Sequence, residues 1–309
     1  MTPGLAYQEL HRGGSASWWR ALLGVVTEFL LFFLVPLGMS IPVIVWLLVR
    51  GLDQDGVTTW LSFDPVTPGN LAFLNLTLAA MIPVTMLVTF LCHGWLKPGW
   101  IASVAGRIRW RWLAVCLGLA VVALVATLVV SVVLPSGGDD LGGSVNEWTS
   151  RSWEFLLVIL LLTPLQAVGE EYVFRGYLTQ AVGGVTRGRW LAVLVPALIF
   201  ALAHGTQSAP VFIDRFAFGL VAGVLVIMTG GLEAGIAMHV LNNLLAFGLA
   251  LFFGDLTETL QADGGSWWMI PATLTQSLVY LGLAGYAARR LGIARRTADT
   301  VLVASAAPV

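Results

Sequence analysis

Two adjacent glutamates, Glu170 and Glu171, precede Arg175 in the stretch TPLQAVGEEYVFRGYL, directly behind the apolar run FLLVILLL. Isolated carboxylates are costly at membrane depth, so such groups face a bundle interior or a wet cavity and carry function there. Helical spacing divides the work. Glu171 and Arg175 are four apart, share one face and pair with the acid toward the N-terminus, the favourable order. Glu170 is turned about 100° away and stays available as a base. Partial burial suits a carboxylate to base catalysis near neutral pH. The competing reading is an ion-pair cluster that only locks the bundle.

Two histidines follow in equally apolar surroundings. In LIFALAHG, Phe200 lies one turn before His204, so its ring can pack under the imidazole and fix its rotamer. Taken alone, a histidine ending an apolar helix is more often packed or interfacial than catalytic. In TGGLEAGIAMHVLNN, Gly230 and Gly231 break the chain and a new helix carries His239 about 12 Å inward at 1.5 Å per residue. Asn243 is one turn further on the same face, with Asn242 a competitor for its role. The alternative here is helix glue, since Asn and His hydrogen-bond across membrane helices. Gly219 and Gly223 read as close-packing positions. By the same rise His204 lies about 20 Å from Trp190, deeper than His239, which requires a tilted or misplaced span. These depths suggest a cavity in the cytoplasmic half or near the midplane.

The elements that must hold these residues are membrane helices. The chain is 58% hydrophobic and 11% charged, with a mean hydropathy of +0.86, outside the soluble range. A helix crosses the bilayer core with about 20 apolar residues, and eight stretches qualify: 22–49, 71–92, 112–134, 153–174, 190–206, 211–229, 232–253 and 268–288. Pro36 and Pro42 could tilt or break the first. No cleavable signal peptide is expected, because the first twenty residues are polar and the run after them is too long. Cys92 and Cys116 fall at or within spans, without disulfide or metal spacing. No basic block is dense enough for nucleic acid.

Charge placement sets the orientation. Arg12, Arg20, Lys97, Arg107, Arg109, Arg111, Arg187, Arg189 and Arg289, Arg290, Arg295 and Arg296 fall on one side of an eight-span arrangement. Asp53, Asp55, Asp64, Asp139, Asp140, Glu147, Asp255, Glu258 and Asp263 fall on the other. The positive-inside rule then puts both termini in the cytoplasm. The organisation expected is an all-α polytopic bundle: a cytoplasmic tail (1–20), N-terminal transmembrane helices (21–150), a catalytic core (151–255), then a last transmembrane helix with a basic tail (256–309). Trp residues near span ends act as interfacial anchors. Fifteen arginines against one lysine hint at a GC-rich bacterial genome, hence a bacterial plasma membrane.

Other polar residues get structural readings. Glu28 is close enough to Arg20 and the interface to be solvated, and His93 ends a span as an interfacial residue. Asp214 and Arg215 are adjacent and point to different faces, so Arg215 could instead reach a carboxylate at the site. Glu233 begins a helix, where an acid complements the dipole.

EEYVFR, FALAH and HVLNN, in that order on three helices, resemble the EExxxR, FxxxH and HxxxN motifs of the CPBP family, intramembrane proteases related to CAAX prenyl endopeptidases and bacteriocin self-immunity proteins. The resemblance covers residues 153 to 250 and implies hydrolysis of a peptide bond in a membrane protein or peptide within the lipid bilayer. Glu170, assisted by His204, would activate water; His239 and Asn243 would stabilise the oxyanion; Glu171, Arg175 and Phe200 would support them. The family is conventionally called metalloprotease, and if zinc is bound its ligands would be Glu170, His204 and His239. The HExxH geometry is absent, and a glutamate with a histidine can activate water without an ion. A non-catalytic scaffold or immunity protein is the alternative. A proton- or cation-coupled transporter is less favoured, because no internal repeat is found.

Overall fold

The computed structural model describes residues 4–14, 17–133, 144–261 and 264–298. Eight helices stand where hydropathy places spans: α1 (Trp18–Val49), α2 (Pro68–Cys92), α3 (Trp110–Val133), α4 (Ser150–Thr186), α5 (Leu191–Ala203), α6 (Ala209–Thr229), α7 (Glu233–Phe253) and α8 (Met269–Arg290). Six of them are long and apolar enough to cross a membrane. Helix α5 is shorter, and α8 is more polar, with Thr273, Thr275, Gln276 and Ser277. The chain is a multi-pass helical membrane protein. Asp139, Asp140 and Asp263 lie outside the described residues.

Helix starts and bends follow from local chemistry. Thr67 and Asn70 exchange side-chain-to-backbone hydrogen bonds ahead of Pro68, which opens α2. Pro83 and Pro164 each lack the N–H that an upstream carbonyl needs, and the helices turn just before them, at Ala80 and Leu162. The two bends meet: a Cβ on Gly169 of α4 would lie 2.0 Å from the Leu78 carbonyl oxygen, so only glycine admits this approach. Helix α1, by contrast, runs unbroken through Pro36 and Pro42. Its outer face exposes Leu30, Leu34, Leu37 and Ile41, side chains suited to acyl chains.

Helix α4 outruns the predicted 153–174. Its 37 residues span about 55 Å at 1.5 Å per residue. Arg175 does not end the span because its charge is met inside the helix by Glu171. Residues Tyr172–Leu178 form a π-helical segment, where a regular helix was expected. Such bulges recur at functional sites, because the extra residue re-aims neighbouring side chains.

One face of the bundle is closed by the segments that carry the basic residues. The segments 4–14 and 290–298 meet there, with an antiparallel bridge between Ala6 and Arg296 and a hydrogen bond from Thr297 N to Leu5 O. Residues Tyr7–Gly13, expected as a free tail, form a 3₁₀ helix with Tyr7, Leu10 and His11 buried. Ser103 bridges Gly231, and Leu232 N donates to Ala102 O. The start of α7 is therefore capped by protein. This removes the depth conflict between His204 and His239, since α7 begins beneath a covering layer and not at the interface.

One of the structural readings is extended and two need correction. Glu233 begins α7 as expected, and it is also fully buried and holds Arg109 through two oxygens, at 2.8 and 2.6 Å. Glu28 is buried and accepts from the Thr85 hydroxyl, because it faces α2 and not water. His93 is buried as well, stacked on His11 at 3.7 Å with its Nε2 3.0 Å from the Tyr177 hydroxyl. In each case the N-terminal segment or a neighbouring helix replaces the solvent that hydropathy implied.

Candidate functional site

Glu170, His204, His239 and Asn243, distant in the chain, line one cavity of about 570 Å³. Aromatic rings recur along the cavity walls, with Phe32, Phe33, Phe73, Phe200, Phe218 and Phe247 among them. Glu171 and Arg175 stand behind that wall, both fully buried.

Helical spacing makes the support pair, as the sequence implies. Arg175 Nη1 donates to Glu171 Oε1 at 3.0 Å. The same oxygen lies 2.9 Å from His239 Nδ1, a contact that joins α4 to α7. With Nδ1–H given to Glu171, the His239 ring turns Nε2 toward Glu170 Oε2, 3.5 Å away. That Glu170 oxygen has no hydrogen-bond partner among the described residues.

Phe200 does more than support His204. Its ring lies edge-on to His204 at 4.7 Å and to His239 at 5.9 Å, while the Arg175 guanidinium sits 4.0 Å from its centroid. One aromatic face thus stabilises a buried cation and two imidazoles. His204 Nδ1 is 2.8 Å from the Phe200 carbonyl oxygen. A carbonyl only accepts, so Nδ1 carries the proton and Nε2 keeps its lone pair.

Two contributors were not anticipated. Gln166, one turn before Glu170, donates through Nε2 to Glu170 Oε1 and accepts from Asn243 Nδ2 at 3.0 Å through Oε1. A single amide therefore positions both the acid and the asparagine. The signal was present in the sequence: a glutamine four residues before Glu170 inside an apolar span. Gly235 is the second, since a Cβ there would fall 2.8 Å from Glu171 Oε2. That proximity depends on how α4 packs against α7 and has no sequence signature. Gly219 and Gly223 are close-packing positions as expected, 3.1 Å and 3.0 Å from α5 atoms when given a Cβ.

Arg215 and Asp214 also line the cavity, and Arg215 Nη1 donates to Gln207 Oε1 at 2.7 Å. Asn242 lines it too, beside Asn243.

The donors do not fit a metal. Among the described residues no three His, Cys, Asp or Glu side chains converge closely enough to hold an ion. One atom of each group is committed within the protein: Glu170 Oε1 to Gln166, Glu171 Oε1 to Arg175 and His239 Nδ1, and His204 Nδ1 to the Phe200 carbonyl.

Outside the spans, burial among apolar neighbours pushes the His11 imidazole well below its ordinary value, and the nearby His93 adds to the shift.

A multi-pass helical protein with a buried acid–histidine–amide centre is the class that this fold and cavity define. Residues 152–245, the part of the chain that carries all three motifs, match the model of the family described as Type II CAAX prenyl endopeptidase Rce1-like. The chain is also similar to an uncharacterized protein, YyaK, of Bacillus subtilis (strain 168), at 27% identity over 156 residues, 46% of this chain and 51% of that protein. The chain thus spans about half the length of the curated relative it matches. No solved structure matches.

Proposed function

We propose that the protein is an intramembrane endopeptidase that hydrolyses a peptide bond of a membrane-associated protein or peptide. The observation that carries this reading is the Glu170 carboxylate. It is held on one oxygen by Gln166, has no hydrogen bond on the other, which lies 3.5 Å from His239 Nε2, and is set in the same cavity as two imidazoles and an amide. A scaffold needs no such poised group, and desolvating one without use costs free energy.

Amide hydrolysis needs an activated water, donors for the tetrahedral oxyanion and shelter from bulk solvent. Glu170 Oε2 accepts a proton from a water in the cavity, with the lone pair of His204 Nε2 as the second acceptor. The water oxygen attacks the carbonyl carbon. Glu170 then returns the proton to the leaving nitrogen. His239, protonated on both nitrogens, donates Nε2–H to the oxyanion while Glu171 holds Nδ1–H. While Glu170 holds the water's proton, the charges of Glu171, Arg175, His239 and the oxyanion sum to zero, which favours burial. Asn243 gives one N–H to Gln166 and keeps the other for the oxyanion. Glu171, Arg175 and Phe200 act through His239 and His204 and are positioning residues.

The test is cleavage of a candidate membrane peptide by purified wild type, Glu170→Gln and His204→Ala. Loss of turnover in Glu170→Gln with unchanged thermal unfolding is expected; retained turnover would refute the assignment.

A further inference from the structure

The cavity has a direction. Along α7, His239, Asn242, Asn243, Ala246 and Phe247 line it one turn after another, so it extends about 12 Å from His239 toward the Phe253 end of that helix. Its rim includes Phe63, Thr259 and Leu260, half-exposed residues of the loops that carry Asp53, Asp64, Asp255 and Glu258. Asp214 and Thr273 line it from the ends of α6 and α8 nearest the same loops. The segments on the opposite, basic face (4–14, 93–109, 186–190, 230–232 and 290–298) contribute no lining residue.

That opposite face is closed. Tyr7, His93, Ile101, Thr229, Leu232 and Glu233 are all fully buried there. Tyr7 donates to the Ile101 carbonyl oxygen at 2.5 Å. Arg109 ties Glu233 to the Thr229 and Ala294 carbonyl oxygens, both at 3.0 Å. A packed, hydrogen-bonded layer thus separates Glu170 from the basic side, and opening it means exposing a buried ion pair.

The charge difference between the faces assigns their compartments. Arg12, Lys97, Arg107, Arg187, Arg189, Arg289 and their neighbours crowd the closed face, against Glu9 and the Arg109-paired Glu233. The rim face holds Asp53, Asp55, Asp64, Glu147, Glu154, Asp255 and Glu258, against Arg50 and Arg151. By the positive-inside rule the closed face is cytoplasmic.

We infer that the substrate reaches Glu170 from the extracytoplasmic side: the segment cleaved belongs to a secreted or membrane-anchored chain and enters the aromatic-lined cavity from the outer half of the bilayer, never from the cytoplasm. The inference rests on the protease reading for the word substrate; the access route itself does not depend on it. Single cysteines at Ala246 inside the cavity, Leu260 at its rim and Arg189 on the basic face test the route. Each variant is treated with a charged, membrane-impermeant thiosulfonate in right-side-out and in inside-out vesicles, and the unsubstituted chain with Cys92 and Cys116 sets the blank. Ala246→Cys and Leu260→Cys are expected to react in right-side-out vesicles and to lose that reaction in inside-out ones, with Arg189→Cys the reverse. Reaction of Ala246→Cys confined to inside-out vesicles overturns the inference; should that variant fail to fold, Leu260→Cys decides alone by the same criterion. Peptide cleavage in detergent, where the protein has no sides, reports on the protease reading separately. Cleavage with cytoplasmic labelling sinks only the access route, whereas outside labelling without cleavage leaves the route standing and removes the protease.

Discussion

Glu171 and Arg175 provide the sharpest quantitative test of the site. Their charges are 3.0 Å apart and both side chains are about 1% exposed or less. At an effective dielectric near 20, two unit charges at that distance attract by about 5 kcal/mol. Removing one partner strands the other in the interior, so Glu171→Gln and Arg175→Met should each cost about 3–5 kcal/mol. Removing both strands nothing of that charge pair. The double variant should therefore cost less than the sum of the singles by about 2–3 kcal/mol, a coupling in the range for contacting residues. Glu171→Gln keeps an amide oxygen for His239 Nδ1, so the cost isolates the charge and not the hydrogen bond. Reversible unfolding in mixed detergent micelles, followed through the protein's 13 tryptophans, measures all four corners. Additivity within about 0.5 kcal/mol would show that the two residues do not act as a buried pair, and the account of the His239 support would fall with it.

Other expectations follow from single contacts. Gln166→Leu should lower kcat about 10–100-fold with a smaller change in KM, because it releases Glu170 and Asn243 while leaving the aromatic walls of the cavity in place; an unchanged kcat would remove Gln166 from the site. Gly235→Ala should destabilise by about 1–3 kcal/mol, as its Cβ intrudes on Glu171 Oε2; a neutral effect on unfolding would contradict the packing described between α4 and α7. Chelators should leave peptide cleavage intact, and turnover that disappears with chelation and returns with zinc would show that the donor arrangement described is not the active one. His11 is held neutral in the fold and the unfolded chain gains a proton first, so stability should fall as pH drops below about 6.5. His11→Phe should flatten that slope by up to about 1.4 kcal/mol per pH unit, and a slope equal to wild type would reassign the acid sensitivity elsewhere.

Hydropathy alone placed eight helices, because a chain that must satisfy its backbone inside lipid has helix as its only open choice. Spacing alone paired Glu171 with Arg175 and seated Phe200 under His204, since i and i+4 are neighbours on any helix. Those relations are local, and the order of residues contains them. What brought Glu170, His204, His239 and Asn243 to one cavity was the packing of α2, α4, α5, α6 and α7, which depends on small residues such as Gly169 and Gly235 letting backbones and carboxylates approach. The same packing hid Glu28, His93 and Glu233, which a hydropathy profile can only treat as charges near water. It also decided that one face is closed and the other gives access to the cavity, because burial is a sum over distant segments and no window of sequence computes it.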